Sequence, residues 1–179
     1  MKYRMLFVLA LLLAVLVVFA VHSLDFPGSV PNFERSSGGG VLLDVKPSFS
    51  EEATYQRLSD YGDEGRTNYV FRNLTVDVLL PLAVFPALFL LMLHALKGSS
   101  LGPVPRAFLY SLPFVYVIFD LAENGIVLAL LAYFPDRMHL LAGVLPYMTM
   151  IKRTASLLAL AIPLVIFSVA LVRRLLAKS

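Results

Sequence analysis

The sequence predicts an all-α, polytopic membrane protein: a bundle of four transmembrane helices with a short helical cap outside the membrane. Hydrophobic residues make up 59% of the 179 residues, whereas a soluble globular domain is about 45–50% apolar. Charged residues make up 15%, against about 25% in soluble domains. The apolar residues are clustered in runs at 5–21, 74–96, 107–134 and 154–172, and each run approaches or exceeds the roughly 20 residues that a spanning helix needs.

The hydropathy pattern divides the chain into three parts. Residues 1–23 form the first transmembrane span or an uncleaved signal anchor, residues 24–72 an extracytoplasmic loop with short helices, and residues 73–179 a transmembrane core of three spans. A cleavable signal peptide is the alternative for the first part. The apolar core of such a peptide is about 7–15 residues long, whereas this run is longer, and Val21-His22-Ser23 is only a passable cleavage site. We favour the uncleaved span.

Residues 24–72 contain signals for short helices. Ser48 and Glu51 have the spacing of a capping box, in which each side chain accepts a hydrogen bond from the backbone of the other residue. Gly62 is a natural helix end. Candidate apolar contacts of this helix are Phe49, Ala53, Leu58 and Tyr61. Residues 63–66 begin a second helix that continues into the second span, and residues 41–45 are a candidate short strand.

Three further spans are predicted after this loop. The second covers residues 74–96, and the Gly- and Pro-rich turn at 97–103 is short enough to make the third span its antiparallel neighbour. The third span follows Arg106 and ends at Phe134. The fourth is predicted to begin at Pro146, because proline suits the first helical position, and to end near Val172.

The distribution of charge predicts the orientation. Basic residues without acidic neighbours lie at one set of span ends: Lys2, Arg4, Lys97, Arg106, Arg173, Arg174 and Lys178. Eight acidic residues lie in the segment 24–72. Because cytoplasmic loops carry the excess of Lys and Arg, we expect a bacterial cytoplasmic (inner) membrane protein with both termini in the cytoplasm and residues 24–72 outside.

Polar residues interrupt the third span. Asp120, Glu123 and Asn124 fall on one helical face together with Tyr116, and the opposite face is aliphatic. An Asp near the middle of a bilayer costs roughly 2.5–3.5 kcal/mol. This face is therefore predicted to point into the bundle, where other side chains can satisfy the polar groups.

The depth of other residues in the membrane, counted along their helices, indicates partners for the polar face of the third span. Asp77 in the second span, and Lys152 and Arg153 in the fourth, are predicted to lie in the same outer half of the bilayer. Three acids then face two basic residues, so either Arg72 or Arg66 joins them or one carboxyl group stays protonated. Three interpretations stay open: a structural ion-pair cluster, a pocket for a ligand, lipid headgroup or proton, and a catalytic site.

Several function classes find no support in the sequence. The chain has no cysteine and three isolated histidines, so neither a thiolate site nor a metal or cofactor motif is predicted. Basic runs of five residues or more are absent, which argues against nucleic-acid binding. The expected partners are the lipid bilayer, a lipid or small-molecule ligand, and a second copy or another membrane protein.

Four features of the sequence resemble those of a group of small bacterial four-span membrane proteins to which no activity is assigned. The residues that carry the resemblance are Tyr61-Gly62-x-Glu64-Gly65-Arg66-x-x-Tyr69, Asp77 and Pro81, Phe119-Asp120-x-x-Glu123-Asn124, and a basic residue near Lys152. The resemblance covers roughly residues 48–160. It implies that the outer helix, through Arg66 and Tyr69, belongs with the intramembrane cluster.

The sequence therefore predicts a non-enzymatic inner-membrane protein. Its polar cluster is expected to face outward, and either to bind a small ligand or lipid headgroup or to fix the packing of the helices. The alternative is a proton- or ion-coupled carrier that uses Asp120 and Glu123. An intramembrane enzyme is the third possibility, without an identified catalytic residue.

Overall fold

A computed structural model describes residues 2–97 and 99–176, without the side chains of residues 2–4, 171 and 174. Lys178, one of the predicted cytoplasmic basic residues, lies outside the described residues. The protein is all-helical, with 81% of its residues in helices and no strand in the described ranges. The helices are α1 (Lys2–Ser23), α2 (Val30–Ser36), α3 (Glu51–Asp60), α4 (Gly62–Leu74), α5 (Val76–Leu96), α6 (Pro103–Tyr133) and α7 (His139–Leu176).

Among the described residues, four helical stretches are long and apolar enough to cross a membrane, which confirms the predicted fold class. They are Met5–Ser23, Gly62–Leu96, Pro103–Tyr133 and His139–Ala170. Helices α5, α6 and α7 pack against one another, and α1 packs on the side of α5. Small residues at these contacts, such as Ala155 and Ala159 of α7 and Ala87 of α5, let the helices approach closely.

A cap of short helices covers one end of this bundle. Phe33 of α2 lies at its centre, and its ring is 5.1 Å from the rings of both Tyr61 and Tyr69, measured between ring centroids. The same apolar core includes Val127 and Leu130 of α6. The cap is therefore packed directly onto the bundle rather than tethered above it.

The start of the first predicted cap helix lies two residues later than the sequence indicated. Ser50, not Ser48, caps α3 by accepting a hydrogen bond from the Ala53 backbone N–H at 3.3 Å. Ser48 instead accepts one from the backbone of Ser50. As a result, Phe49 is 66% exposed and Ala53 is also exposed. The buried residues of α3 are Thr54, Tyr55 and Leu58.

The segment 41–45 is a turn, so the predicted strand is wrong. Leu42 and Leu43 are both buried, although neighbouring residues of a strand would point to opposite faces. The carbonyl of Leu42 accepts hydrogen bonds from the backbone N–H groups of Val45 and Lys46, each at 3.1 Å. The turn leaves Asp44 at the inner side of the cap.

Two further boundaries to compare with the prediction are the start of α7 and the turn between α3 and α4. Helix α7 begins at His139, seven residues before the predicted Pro146, because Ala142 and Leu145 in its first turns are buried in the cap core. Gly62 has a φ of +64°, which glycine adopts without steric cost. It makes the turn between α3 and α4, as predicted.

Tyr61 provides a pH-dependent link within the cap. Its hydroxyl donates to the carbonyl of Val41 at 2.6 Å, and burial raises the pKa of Tyr61 to about 12. A tyrosine in an unfolded chain ionises near about pH 10. The folded protein thus retains the hydroxyl proton of Tyr61 to a higher pH than the unfolded chain does. The stability contributed by this proton is present below about pH 10 and is lost as the pH rises towards about 12.

We expect Tyr61→Phe to change the pH profile of stability. At neutral pH the variant loses one hydrogen bond, about 1 kcal/mol. Between about pH 10 and 12 its melting temperature should fall less steeply than that of the wild type, because the ionisable group is gone. The control is Tyr133→Phe, at a tyrosine that is 59% exposed. Equal alkaline slopes for the wild type and both variants would contradict the assignment.

Candidate functional site

Six charged side chains meet where the cap rests on the bundle, and we call them the charged cluster. Asp44 comes from the cap, Arg72 from α4, Asp77 from α5, Asp120 and Glu123 from α6, and Lys152 from α7. Apart from Asp44, all of them are buried. The charged cluster therefore joins the outer segment to three of the four spanning helices.

Lys152 lies at the centre of the charged cluster. Its Nζ is 3.0 Å from Asp120 Oδ1 and 3.7 Å from Asp44 Oδ2, and it also contacts Glu123 Oε2. Asp120 and Glu123 are three residues apart on α6, so both reach the same side of that helix. Thr149, three residues before Lys152, donates its hydroxyl to Glu123 Oε1. Glu123 is completely buried between these two partners.

A second ion pair lies where α4 meets α5. Arg72 Nη2 is 2.8 Å from Asp77 Oδ1, and the exposed fractions of the two side chains are 3% and 9%. Arg72 also donates to the carbonyl of Gly28 at 2.7 Å. The side-chain amide of Asn124 donates to the backbone carbonyl of Asp77 at 2.8 Å, which ties this pair to α6.

The segment 41–46 closes the outer side of the charged cluster, and we call it the plug. Arginine side chains bind its backbone. Arg57 donates to the carbonyls of Val41 at 2.5 Å and Leu42 at 2.8 Å, and also to that of Lys46. Arg153 donates to the carbonyls of Asp44 at 2.5 Å and Val45 at 2.6 Å.

Tyrosines complete the backbone contacts of the plug. The Tyr69 hydroxyl accepts a hydrogen bond from the Leu43 N–H at 3.1 Å, and Tyr61 binds the carbonyl of Val41. Backbone groups away from water must find partners, and here side chains from α3, α4 and α7 supply them. The plug thus has a defined conformation without belonging to a helix or strand.

The charges of the cluster do not balance. Four carboxyl groups face two basic groups, so the formal charge is −2 when all of them are ionised. Uncompensated charge in a buried site is costly, and proteins usually neutralise it by protonation or by binding a counter-ion. The arrangement can hold a proton or bind positive charge. Within the described residues, no group of three or more His, Asp or Glu is arranged to hold a metal ion.

Most of the candidate site residues lie together. The structure places Asp77, Asp120, Glu123, Asn124 and Lys152 in or against the charged cluster. Three other candidates lie nearby in different roles.

Arg153 and Tyr69 hold the plug rather than facing the acids. Tyr116 is buried in the apolar core among Leu112, Ala155 and Ala159. Arg153 cannot share the direction of Lys152, because consecutive helical residues point about 100° apart.

Arg66 is not part of the charged cluster, contrary to what the family resemblance implied. It pairs with Asp63, donates to the carbonyl of Leu58 at 2.9 Å and lies 4.4 Å above the ring of Phe134. Arg72 is the cation that joins the acids, as one of the sequence alternatives proposed.

Sequence reasoning missed Asp44 and Thr149. Asp44 is flanked by Leu42, Leu43 and Val45, and an acid inside an apolar stretch is a signal of burial near a partner. Thr149 lies one turn before Lys152 on the same face of α7, so helical spacing could have identified it.

Replacing Lys152 should destabilise the protein strongly. Lys152→Met leaves Asp44, Asp120 and Glu123 without their shared cation, and breaking a buried ion pair in this way typically costs about 3–5 kcal/mol. Thermal unfolding of the purified protein in detergent measures the loss. Arg173→Met, which removes an exposed cation further along the same helix, is the matched control. An unchanged melting temperature for Lys152→Met would show that the cluster contributes nothing to stability.

The chain matches no protein-family profile, no curated protein and no solved structure. The resemblance to small four-span bacterial membrane proteins therefore stays a prediction that rests on the motifs alone.

Proposed function

We propose that this protein is a non-enzymatic, multi-pass protein of the bacterial cytoplasmic membrane, with both termini in the cytoplasm and residues 24–72 outside. The charge pattern supports this orientation. Lys97, Arg106 and Arg173 lie at helix ends away from the cap, whereas the cap carries the acidic segment. Because cytoplasmic loops are enriched in basic residues, the capped end is the outer end.

The charged cluster is, in this proposal, a proton-binding latch that holds the plug on the bundle. The observation that carries it is the contact of Lys152 with one acid from the plug and two from α6, inside a cluster with a formal charge of −2. Uptake of a proton reduces this excess charge. The latch thereby couples the conformation of the outer segment to the proton concentration outside.

Asp44 is the acid through which the plug takes part in the charged cluster. Its carboxylate lies further from Lys152 Nζ than that of Asp120, and 23% of its side chain is exposed, compared with 11% for Asp120 and none for Glu123. Without the charge of Asp44 its attraction to Lys152 is lost, and the plug is held by the hydrogen bonds of its backbone and the packing of its leucines.

Cysteine labelling tests the latch and the orientation together, because the chain has no cysteine. In Leu43→Cys the thiol replaces a side chain that is 1% exposed. A membrane-impermeant thiol reagent should label it slowly at neutral pH, and acidification should raise its labelling rate relative to that of the exposed Val45→Cys, since the thiolate fraction falls in both. Adding Asp44→Asn should raise the labelling rate of Leu43→Cys at neutral pH about tenfold. This change is expected when the free energy that keeps the plug closed falls by about 1.4 kcal/mol.

The controls separate opening of the plug from general unfolding. Asp60→Asn alters a cap acid that hydrogen-bonds only to Gln56 among the described contacts, and it should leave the Leu43→Cys rate unchanged. Val45→Cys, at an exposed plug residue, should react rapidly in intact cells at neutral pH, and its rate at each pH corrects for the smaller thiolate fraction in acid. Labelling of Leu43→Cys that does not respond to pH or to Asp44→Asn would refute the latch. Failure of Val45→Cys to react from outside would refute the orientation.

A proton-coupled carrier is the second candidate, and the buried position of Asp120 and Glu123 beside a single lysine favours it. Intramembrane acids of this kind form proton relays in transporters. The two candidates differ in one observable. A carrier gives pH-driven solute uptake in proteoliposomes that disappears in Asp120→Asn, whereas a latch changes the conformation of the plug without net transport.

A further inference from the structure

A second candidate site lies on the outer flank of the protein, separate from the charged cluster. An apolar groove of about 500 Å³ runs between α1 and α5 at the capped end, and its walls include Leu16, Ala20, Leu79 and Ala83. Its residues are apolar throughout. Pockets for small ligands have volumes of about 300–1,000 Å³, so the groove is large enough for part of an amphiphilic molecule.

The packing of α1 explains why the groove exists. Ala10 and Ala14 of α1 pack against Ala87 of α5, and such small residues let two helices touch closely. Nearer the cap, α1 and α5 leave space between them, with Phe26 at the end of the groove. In the topology proposed above, this space opens into the outer leaflet.

A cleft of about 600 Å³, which we call the polar cleft for its polar side chains, adjoins the groove. Its walls combine Asn32, Asp63, Glu64, Thr67 and Asn68 with the apolar Pro27 and Phe71. The turn that connects α1 to α2 separates the two: Phe26 lines the groove, and Pro27 lines the cleft. This turn is packed tightly, since a Cβ added at Gly28 would lie 2.9 Å from Val76 Cγ2.

The polar side chains of the cleft include hydrogen-bond acceptors without a donor in the described part of the chain. Asn68 donates its side-chain N–H to Asn32 Oδ1, which also accepts from the Gly28 N–H at 3.3 Å. The Asn68 Oδ1 atom is left buried without a donor. Of the two acids, Asp63 pairs with Arg66, whereas Glu64 forms no ion pair within the described part of the chain. The cleft thus matches a group that has a positive charge and several N–H donors.

We propose that this flank binds one phospholipid with a primary ammonium headgroup, with an acyl chain in the apolar groove and the ammonium in the polar cleft beside Glu64 and Asn68. An apolar chain next to an acceptor-lined, acidic cleft at the membrane surface is the chemistry of phosphatidylethanolamine. A quaternary ammonium group has no N–H to donate, and phosphatidylglycerol brings negative charge without an amine.

Native mass spectrometry of the full-length protein tests this ranking. The protein is extracted in detergent and equilibrated with phosphatidylethanolamine, phosphatidylcholine and phosphatidylglycerol that carry identical acyl chains. We expect the bound fraction to fall in that order, with a difference of about tenfold in affinity between the first and the last, as for a lost charge-assisted hydrogen bond. Equal retention of the three lipids, or stronger binding of phosphatidylglycerol, would overturn the proposal.

Two variants assign the two parts of the site. Ala83→Phe fills the apolar groove and should abolish retention of all three lipids, whereas Ala122→Phe, at an exposed position on α6, should not. Glu64→Gln should remove the preference for phosphatidylethanolamine and keep the remaining lipid binding. Asp60→Asn is its matched control in the cap. An unchanged lipid preference in Glu64→Gln would exclude the position of the headgroup beside Glu64. None of these outcomes depends on whether the charged cluster acts as a latch.

Discussion

The ammonium group of Lys152 is the constraint on which the arrangement of this protein depends. A buried cation must be paired, and its partners come from parts of the chain that are distant in sequence: Asp44 in the plug and Asp120 and Glu123 in α6. Once these contacts form, the rotation of α7 and the position of the outer segment are no longer independent. The ion pair between Arg72 and Asp77 adds α4 and α5 to the same arrangement.

The plug shows how an irregular segment acquires one conformation next to a membrane. Its carbonyl groups accept hydrogen bonds from Arg57 and Arg153, and the buried side chains of Leu42 and Leu43 anchor it in the cap core. Guanidinium groups suit this task because each presents several donors in one plane. The plug is held along its whole length, and the carboxylate of Asp44 adds a contact with Lys152 of the bundle.

The sequence was sufficient for the fold class and for much of the site. The angular spacing of residues around a helix identified the face of α6 that carries Asp120, Glu123 and Asn124. Counting residues from the helix ends identified Asp77 and Lys152 as partners at the same depth in the membrane. Both arguments use regular helix geometry and need no knowledge of the loops. Arg66 and the first residue of α7 depend instead on how the cap packs on the bundle, which local patterns do not specify. Asp44 was missed for the same reason: a turn, rather than a strand, directs its carboxylate inward.

The position of the outer segment depends on the interaction of Asp44 in the plug with Lys152 of α7. This interaction is measured by a double-mutant cycle with Asp44→Asn and Lys152→Met, followed by unfolding in detergent. We expect a coupling free energy of about 1 kcal/mol or more, because the charge on Asp44 stabilises the protein only while Lys152 is present. Additivity of the two single effects within about 0.5 kcal/mol would contradict it.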